Sequence, residues 1–142
     1  MGKRLIGSVG LAIAGGTPSP YTRTTSFVIA CSDETTALTT GTKVTFRLPF
    51  AFTVTEVRAS LTTAGTGANL VTLMFEQNGT DILSTAITID ATETTSTTAT
   101  TAPVISTSAL TDDASIDCDV DQIDSGGVSA GLKMYLIGYK TL

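Results

Sequence analysis

A long stretch of the chain alternates apolar and polar residues with a period of two. Its apolar positions are Val44, Phe46, Leu48, Phe50, Phe52 and Val54. Successive side chains of a β strand point to opposite faces, so this spacing places the apolar residues on one face and the polar residues on the other. The pattern predicts strand structure with one face in a core and the other in solvent.

The alternation changes parity shortly after Val54. The next apolar positions are Val57, Ala59 and Leu61. A shift of one residue exchanges the two faces of a strand, which predicts a bulge or a corner near Val54 to Glu56. Pro49 marks a second break, because proline has no N–H to donate to a central ladder. We therefore expect two strands that turn the corner of a β sandwich.

The dipeptide Asn78-Gly79 separates two runs of strand-forming residues, 70–77 and 80–84. Asparagine and glycine tolerate the positive φ angles that a type I′ turn requires at its two central positions. The pattern predicts a two-residue β hairpin, with a return strand that continues to about Asp90.

Further strands are predicted on both sides of this hairpin. Their approximate ranges are 24–31, 104–105, 114–123 and 132–139. Residues 91–102 are almost entirely Thr, Ala and Ser, and they form either a polar edge strand or a loop. The last strand carries apolar residues on both parities, so either it lies centrally in the sandwich or its outer face meets another subunit.

No segment has the apolar spacing of a helix, and about eight strands recur with turn residues between them. This order predicts an all-β fold, a jelly-roll-like antiparallel β-sandwich, over residues 24–142. Residues 1–23 contain Gly15-Gly16 and Pro18-Ser19-Pro20, which favour extended backbone and predict an extended N-terminal docking arm. The apolar side chains expected to dock this arm are Leu5, Ile6, Val9, Leu11, Ile13 and Tyr21.

The N-terminal segment is also compatible with two alternatives to a docking arm. Lys3-Arg4 before an apolar run has the layout of a signal peptide, although Gly7, Ser8 and Gly10 interrupt that run. The second alternative is a plain tail that packing holds in place.

Composition strengthens the prediction of sheet structure. Threonine makes up about a fifth of the 142 residues, and its branched β carbon suits a pleated sheet better than a helix. Hydrophobic residues supply 42% and charged residues 15%, as in a folded domain without membrane segments. The formal charge of −5 repels phosphate backbones on average. We expect neither nucleic acid nor a membrane as a partner.

The chain contains no histidine. Ser-His-Asp catalysis, Cys-His catalysis and His-based zinc sites are therefore excluded. A pair of carboxylates is enough for a glycosidase, but the chain also lacks tryptophan, a side chain on which sugar rings stack. We expect a protein that is not an enzyme and that uses no cofactor.

Three carboxylates, Asp117, Asp119 and Asp121, form a D-x-D-x-D sequence. This spacing begins the calcium loop of an EF-hand, but Gln122 stands where that loop needs glycine and Val128 where it needs a bidentate glutamate. In a strand, the same spacing places all three carboxylates on one solvated face. We favour the solvated face, and an ion at these three residues is the alternative.

The two cysteines, Cys31 and Cys118, are far apart and match no metal-ligand spacing. Two cysteines are also too few to indicate a disulfide framework. We expect both to be reduced and partly buried in strands, and a bridge between them is the alternative.

Residues 33–140 resemble a small Thr-rich module of tailed-phage virion proteins. The resemblance lies in the opening DETTALTTGTKVTFRLPFAFTVTEVRASL, the central ILST and ITID, and the closing GLKMYLIGY. Such modules are tips of tail fibres, or fibres and decorations of the head. In a tail fibre the module ends a much longer chain, whereas here a 23-residue arm precedes it. The resemblance implies membership of a virus particle.

The first expectation about function is a phage virion structural protein. It is a capsid decoration or cement subunit, or a head-fibre subunit, attached through its N-terminal arm. The alternative is a tail-fibre-type module that recognises a host-surface glycan or protein through loops such as 62–69 and 91–102. We expect localisation in the virion and a homo-oligomer, with a trimer favoured, whose other partners are virion proteins such as the major capsid protein.

Overall fold

The computed structural model describes residues 23–142, and these residues are built almost entirely of antiparallel strands. The strands are β1 (Thr25–Ala30), β2 (Gly41–Arg47), β3 (Phe52–Ser60), β4 (Val71–Gln77), β5 (Thr80–Asp81), β6 (Leu83–Thr85), β7 (Ile87–Ile89), β8 (Val104–Ile105), β9 (Ala109–Leu110), β10 (Ser115–Gln122) and β11 (Lys133–Lys140). One short 3-10 helix, Ser96–Thr98, precedes β8. Within this part of the chain, no helix has the length and apolarity needed to cross a bilayer.

The strands form two main sheets. The first sheet has the order β1-β11-β3-β9, and the second has the order β2-β10-β4-β5, with β7 also paired to β4. When β5 to β7 are counted as one interrupted strand and β8 with β9 as another, residues 23–142 contain eight strands. The first sheet then holds the first, eighth, third and sixth strands, and the second sheet holds the other four. This is jelly-roll connectivity, and it confirms the predicted all-β sandwich.

The inward faces of both sheets share one hydrophobic core. Phe52 and Leu136 from the first sheet and Phe75 and Ile116 from the second are fully buried. Phe27 packs edge-on against Phe52 with 5.1 Å between ring centroids, a favourable geometry for two aromatic rings. The core therefore extends to the side of the sandwich where the edge strands β1 and β2 lie.

The predicted corner and bulge are both present. Pro49 lies between β2 and β3, which belong to different sheets. In β3, Glu56 pairs with Ile137 and Val54 pairs with Gly138, so Thr55 has no partner residue on β11. This extra residue reverses the inward parity of β3, as the sequence pattern required.

The hairpin at Asn78-Gly79 is confirmed, with φ angles of 51° and 81° at its two central residues. The continuous return strand is wrong, because the chain leaves the edge of β4 after Asp81 and returns to it at Ile87. In between, β6 pairs with β8 to form a separate two-stranded ribbon.

The segment 91–102 is a loop that contains the 3-10 helix, not an edge strand. Its Ser96 side chain is buried, and the backbone N–H of Ala59 donates to Ser96 Oγ at 2.9 Å. Strand β11 lies between β1 and β3. The strand therefore has a neighbour on each side within the first sheet, while Tyr135, Ile137 and Tyr139 on its outer face are half-buried.

Candidate functional site

A groove of about 730 Å³ lies along one part of β3. At one end β9 pairs with Phe52 and Thr53, and at the other end the loop 91–102 covers Ala59. Between them, residues 55–58 of β3 form one wall, and residues of the loop and of β8 form the other. The groove exists because β9 is short, so the middle of β3 has no neighbouring strand on that side.

The chemistry of the groove is that of a polar binding surface with an aliphatic wall. Arg58 Nε donates to Glu56 Oε2 at 2.5 Å, and this hydrogen bond raises the pKa of the Arg58 guanidinium. Both side chains are about half exposed, so the ion pair adds little to stability and leaves donors free for a ligand. Thr97 adds a hydroxyl, and the half-exposed Val104 adds an apolar contact.

The three sequence-predicted carboxylates lie on β10, in the second sheet. Asp117, Asp119 and Asp121 share its outer face, while the side chains between them point into the core. Thr45 on β2 donates a 2.5 Å hydrogen bond to Asp117 Oδ1. In the part of the chain that the structure describes, no three acidic or sulfur side chains come together as a metal site.

Strand β4 brings a further carboxylate, Glu76, directly opposite Asp117. A hydrogen bond to Asp119 raises the pKa of Glu76 to about 7, with burial and the repulsion of Asp119, Asp81 and Asp117 adding to the effect. The surrounding carboxylates therefore favour the protonated form of Glu76. Sequence spacing could not reveal this pair, because it depends on the register between β4 and β10.

Asp124 organises the loops at one end of the sandwich. Its carboxylate accepts from the backbone N–H groups of Thr66, Val128 and Ser129 at 3.0, 3.2 and 3.2 Å, and from Ser129 Oγ at 2.5 Å. Burial opposes ionisation, but these donors outweigh it and hold the pKa of Asp124 well below its usual range. The loop 62–69 is therefore fixed from within by a structural carboxylate.

The sequence also predicted functional residues in the N-terminal arm and in two loops. The expected docking side chains between Leu5 and Tyr21 lie outside the described residues. Of the two loops expected to bind a receptor, 91–102 lines the groove, whereas 62–69 does not. Sequence reasoning missed Glu56 and Arg58, whose spacing is that of ordinary outward residues of β3.

Comparison of the chain with protein-family models, with curated proteins and with solved structures found no match.

Proposed function

We propose that this chain is a structural protein of a bacteriophage virion. It serves as a capsid decoration or cement subunit, or as a head-fibre subunit, and it attaches through residues 1–23. The fold supports this proposal, because a jelly roll is an architecture of viral capsid domains. The resemblance of residues 33–140 to tailed-phage virion modules supports it independently.

The observation that carries the proposal is an apolar stripe on the outer face of the first sheet, formed by Val28, Tyr135, Ile137 and Tyr139. Val28 is 60% exposed and lies directly opposite Tyr135, while the three β11 side chains are half-buried. A row of aliphatic and aromatic side chains on an outer sheet face is typical of a surface that packs against another protein.

The stripe fits a homo-oligomer in which copies pack through their first sheets, with a trimer as the favoured state. In that arrangement the acidic faces of the second sheets, with Asp117, Asp119 and Asp121, point away from one another. Placing these like charges apart avoids repulsion between copies. The N-terminal segments then reach a common partner, for which the major capsid protein is the proposed candidate.

Deletion of residues 1–23 tests the attachment. In the described part of the chain the buried core residues lie between Ile29 and Leu136, and Phe27 packs against them, so the truncated domain should keep its cooperative melting transition. It should also lose attachment to particles that lack the protein. Full occupancy of particles by the truncated domain would contradict the docking role.

The groove along β3 favours a second candidate, a receptor-binding module for a host-surface glycan or protein. An ion pair, a hydroxyl and an aliphatic wall can bind a polar ligand without catalysing a reaction on it. Under this alternative, Arg58→Ala lowers binding of the purified protein to host cells, while Arg47→Ala, an exposed arginine on the other sheet, leaves binding unchanged. Hundreds of copies per particle would favour the structural role instead.

A further inference from the structure

The edge of β3 that faces the groove has hydrogen-bond partners at both ends but not in the middle. At one end the Val54 N–H donates to the Ser108 carbonyl at 2.8 Å, and at the other end the Ala59 N–H donates to Ser96 Oγ at 2.9 Å. Between these ends, the strand pairings of residues 23–142 join residues 56–58 to β11 on the opposite side and to no strand on the groove side. Residues 55–58 therefore form an open edge of β3.

Strand geometry directs the main chain of Val57 into the groove. The N–H and C=O groups of successive residues alternate between the two sides of a strand, and the Ala59 N–H points to the groove side. Val57 lies two residues earlier, so its N–H and C=O point the same way, while the residue as a whole is only 4% exposed. Within the described part of the chain, neither group has a hydrogen-bond partner on that side. Unpaired main-chain groups of a buried residue are costly, so this position favours a ligand that supplies both a donor and an acceptor.

We propose that the groove binds an extended peptide segment of a partner protein, which adds to the open edge of β3 as an antiparallel strand. One residue of the segment lies opposite Val57, donates its N–H to the Val57 carbonyl and accepts the Val57 N–H. Strand β3 pairs antiparallel with both β9 and β11, so an antiparallel segment continues the sheet. Four residues of extended chain span about 13 Å, the length of the open edge.

The side chains along the open edge specify the chemistry of that segment. Directly opposed residues of antiparallel strands project to the same face, and opposite charges at such positions attract. Glu56 and Arg58 are exposed on the outer face, so the segment places a basic residue opposite Glu56 and an acidic residue opposite Arg58. Val57 points inward, so the residue between them is apolar and packs beside Ile105, which lines the groove and contacts the core. From its N-terminus, the recognised sequence is acidic-apolar-basic.

The same charge pattern selects the source of the segment. Residues 1–22 of this chain include Lys3 and Arg4 but no acidic residue, so they cannot supply both charges. The only acidic-x-basic sequence of the chain is Glu56-Val57-Arg58 itself. In a second copy this sequence is recessed in a groove between β3 and β8, so a folded copy cannot insert it. A different protein therefore provides the segment.

Three synthetic peptides test the proposal on the full chain. The first is Thr-Thr-Glu-Val-Lys-Thr-Thr, the second exchanges its Glu and Lys, and the third carries N-methylvaline in place of its Val. In calorimetric titrations we expect the first peptide to bind, and the second to bind about fivefold more weakly. The third lacks the N–H for the Val57 carbonyl and should bind at least about tenfold more weakly than the first. Hydrogen exchange of the Val57 amide should slow when the first peptide is bound.

A charge-exchanged protein tests the specificity. The double variant Glu56→Lys and Arg58→Glu should prefer the second peptide to the first, because both charge pairs are then reversed. The two side chains are about half exposed, so the variant should keep its fold, which thermal melting checks. Arg47→Glu changes an exposed arginine on the other sheet and should keep the original preference.

Several results would overturn the proposal. Equal binding of the first and third peptides, unchanged exchange at Val57, or an unchanged preference in the double variant would each exclude strand addition. Tighter binding of a synthetic peptide of residues 1–22 would assign the groove to the chain's own N-terminal segment. No binding of any peptide would leave a glycan as the ligand of the groove.

The inference rests on the second candidate function, since it names the ligand of the same groove. Its readouts come from isolated protein and peptides, whereas host-cell binding and particle attachment test the two proposed functions. Peptide binding by a protein that does not bind host cells would contradict the receptor role alone. Host-cell binding without strand addition would contradict the peptide proposal alone.

Discussion

Glu76 on β4 lies directly opposite Asp117 on β10, and Asp119 follows Asp117 on the same outer face. The interaction with Asp119, burial and the repulsion of the surrounding carboxylates favour the protonated form of Glu76. The pKa of Glu76 is accordingly raised to about 7. Deprotonation of Glu76 places like charges on adjacent strands, which destabilises the sheet.

The first prediction concerns the pH dependence of stability. The pKa of Glu76 is higher in the folded chain than in the unfolded chain, so the folded state binds the proton more tightly. Its stabilising contribution is present below the unfolded value near 4.5 and is lost as the pH rises through about 7. Urea denaturation should therefore give a smaller free energy of unfolding at pH 8 than at pH 5.5.

Replacement of Glu76 by glutamine isolates this effect. Glu76→Gln removes the charge but keeps a hydrogen-bond donor for Asp119, so it should stabilise the protein at pH 8 by up to about 1 kcal/mol and flatten the profile. Asp112→Asn removes a charge from an exposed loop residue and serves as the control. Equal gains from both variants would assign the effect to net charge and contradict a specific repulsion between Glu76 and Asp119.

The local pattern of the sequence was enough to predict which residues of β3 and β10 face the core. Alternation placed Ile116, Cys118 and Val120 inward, and the parity slip located the bulge at Thr55 to within one residue. These predictions succeed because the pleat and its interruption are properties of a few consecutive residues.

The predictions failed where a residue's role depends on distant parts of the chain. Leu83 and Ile87 belong to one apolar run, yet Leu83 pairs with Ile105 and Ile87 pairs with Leu73. The spacing of apolar residues along the chain does not indicate which sheet edge a strand will join. The Glu76 pair and the groove beside Arg58 arise in the same way, from register and from the length of a neighbouring strand.

The second prediction concerns Asp124, which is 2% exposed and accepts four hydrogen bonds. Asp124→Ala leaves those donors without an acceptor, so it should lower the free energy of unfolding by about 3 kcal/mol at pH 7. Because the folded pKa of Asp124 is depressed, its contribution is present above about pH 4 and is lost as the pH falls.

Chemical denaturation at pH 7 and pH 3 measures this effect for the unmodified chain and for Asp124→Ala. The difference between the two proteins should shrink at the lower pH. Asp112→Ala removes an exposed carboxylate and should change stability by less than about 0.5 kcal/mol. If Asp124→Ala lowered the free energy of unfolding equally at pH 7 and pH 3, the effect would come from lost packing and not from loss of the ionised carboxylate.

The third prediction compares two glycines. At Gly138 an added Cβ would lie 1.9 Å from the backbone oxygen of Thr53, beside the bulge of β3, and backbone atoms cannot move aside cheaply. At Gly79 an added Cβ meets nothing within 4 Å, and the only cost is the positive φ angle of 81°. Thermal melting should show that Gly138→Ala costs more than about 3 kcal/mol and Gly79→Ala about 1 kcal/mol. Comparable costs would contradict the tight packing at the bulge.

The fourth prediction concerns oligomeric state. Val28→Asp places a charge in the apolar stripe, opposite Tyr135, while its backbone pairing with β11 is unchanged. Burying that charge between copies is costly, so the dissociation constant of the oligomer should rise by about tenfold or more. Light scattering across a concentration series measures this shift.

The matched control is Val128→Asp, because Val128 is also exposed but lies in the loop before β11. It should leave the oligomer intact. The melting temperature of the monomeric fraction should change little for Val28→Asp. An exposed strand residue stabilises the monomer mainly through contacts with its neighbours on the sheet surface. If Val28→Asp assembles as well as the unmodified chain, copies do not pack through this stripe, and the surface must then face a different virion protein or solvent.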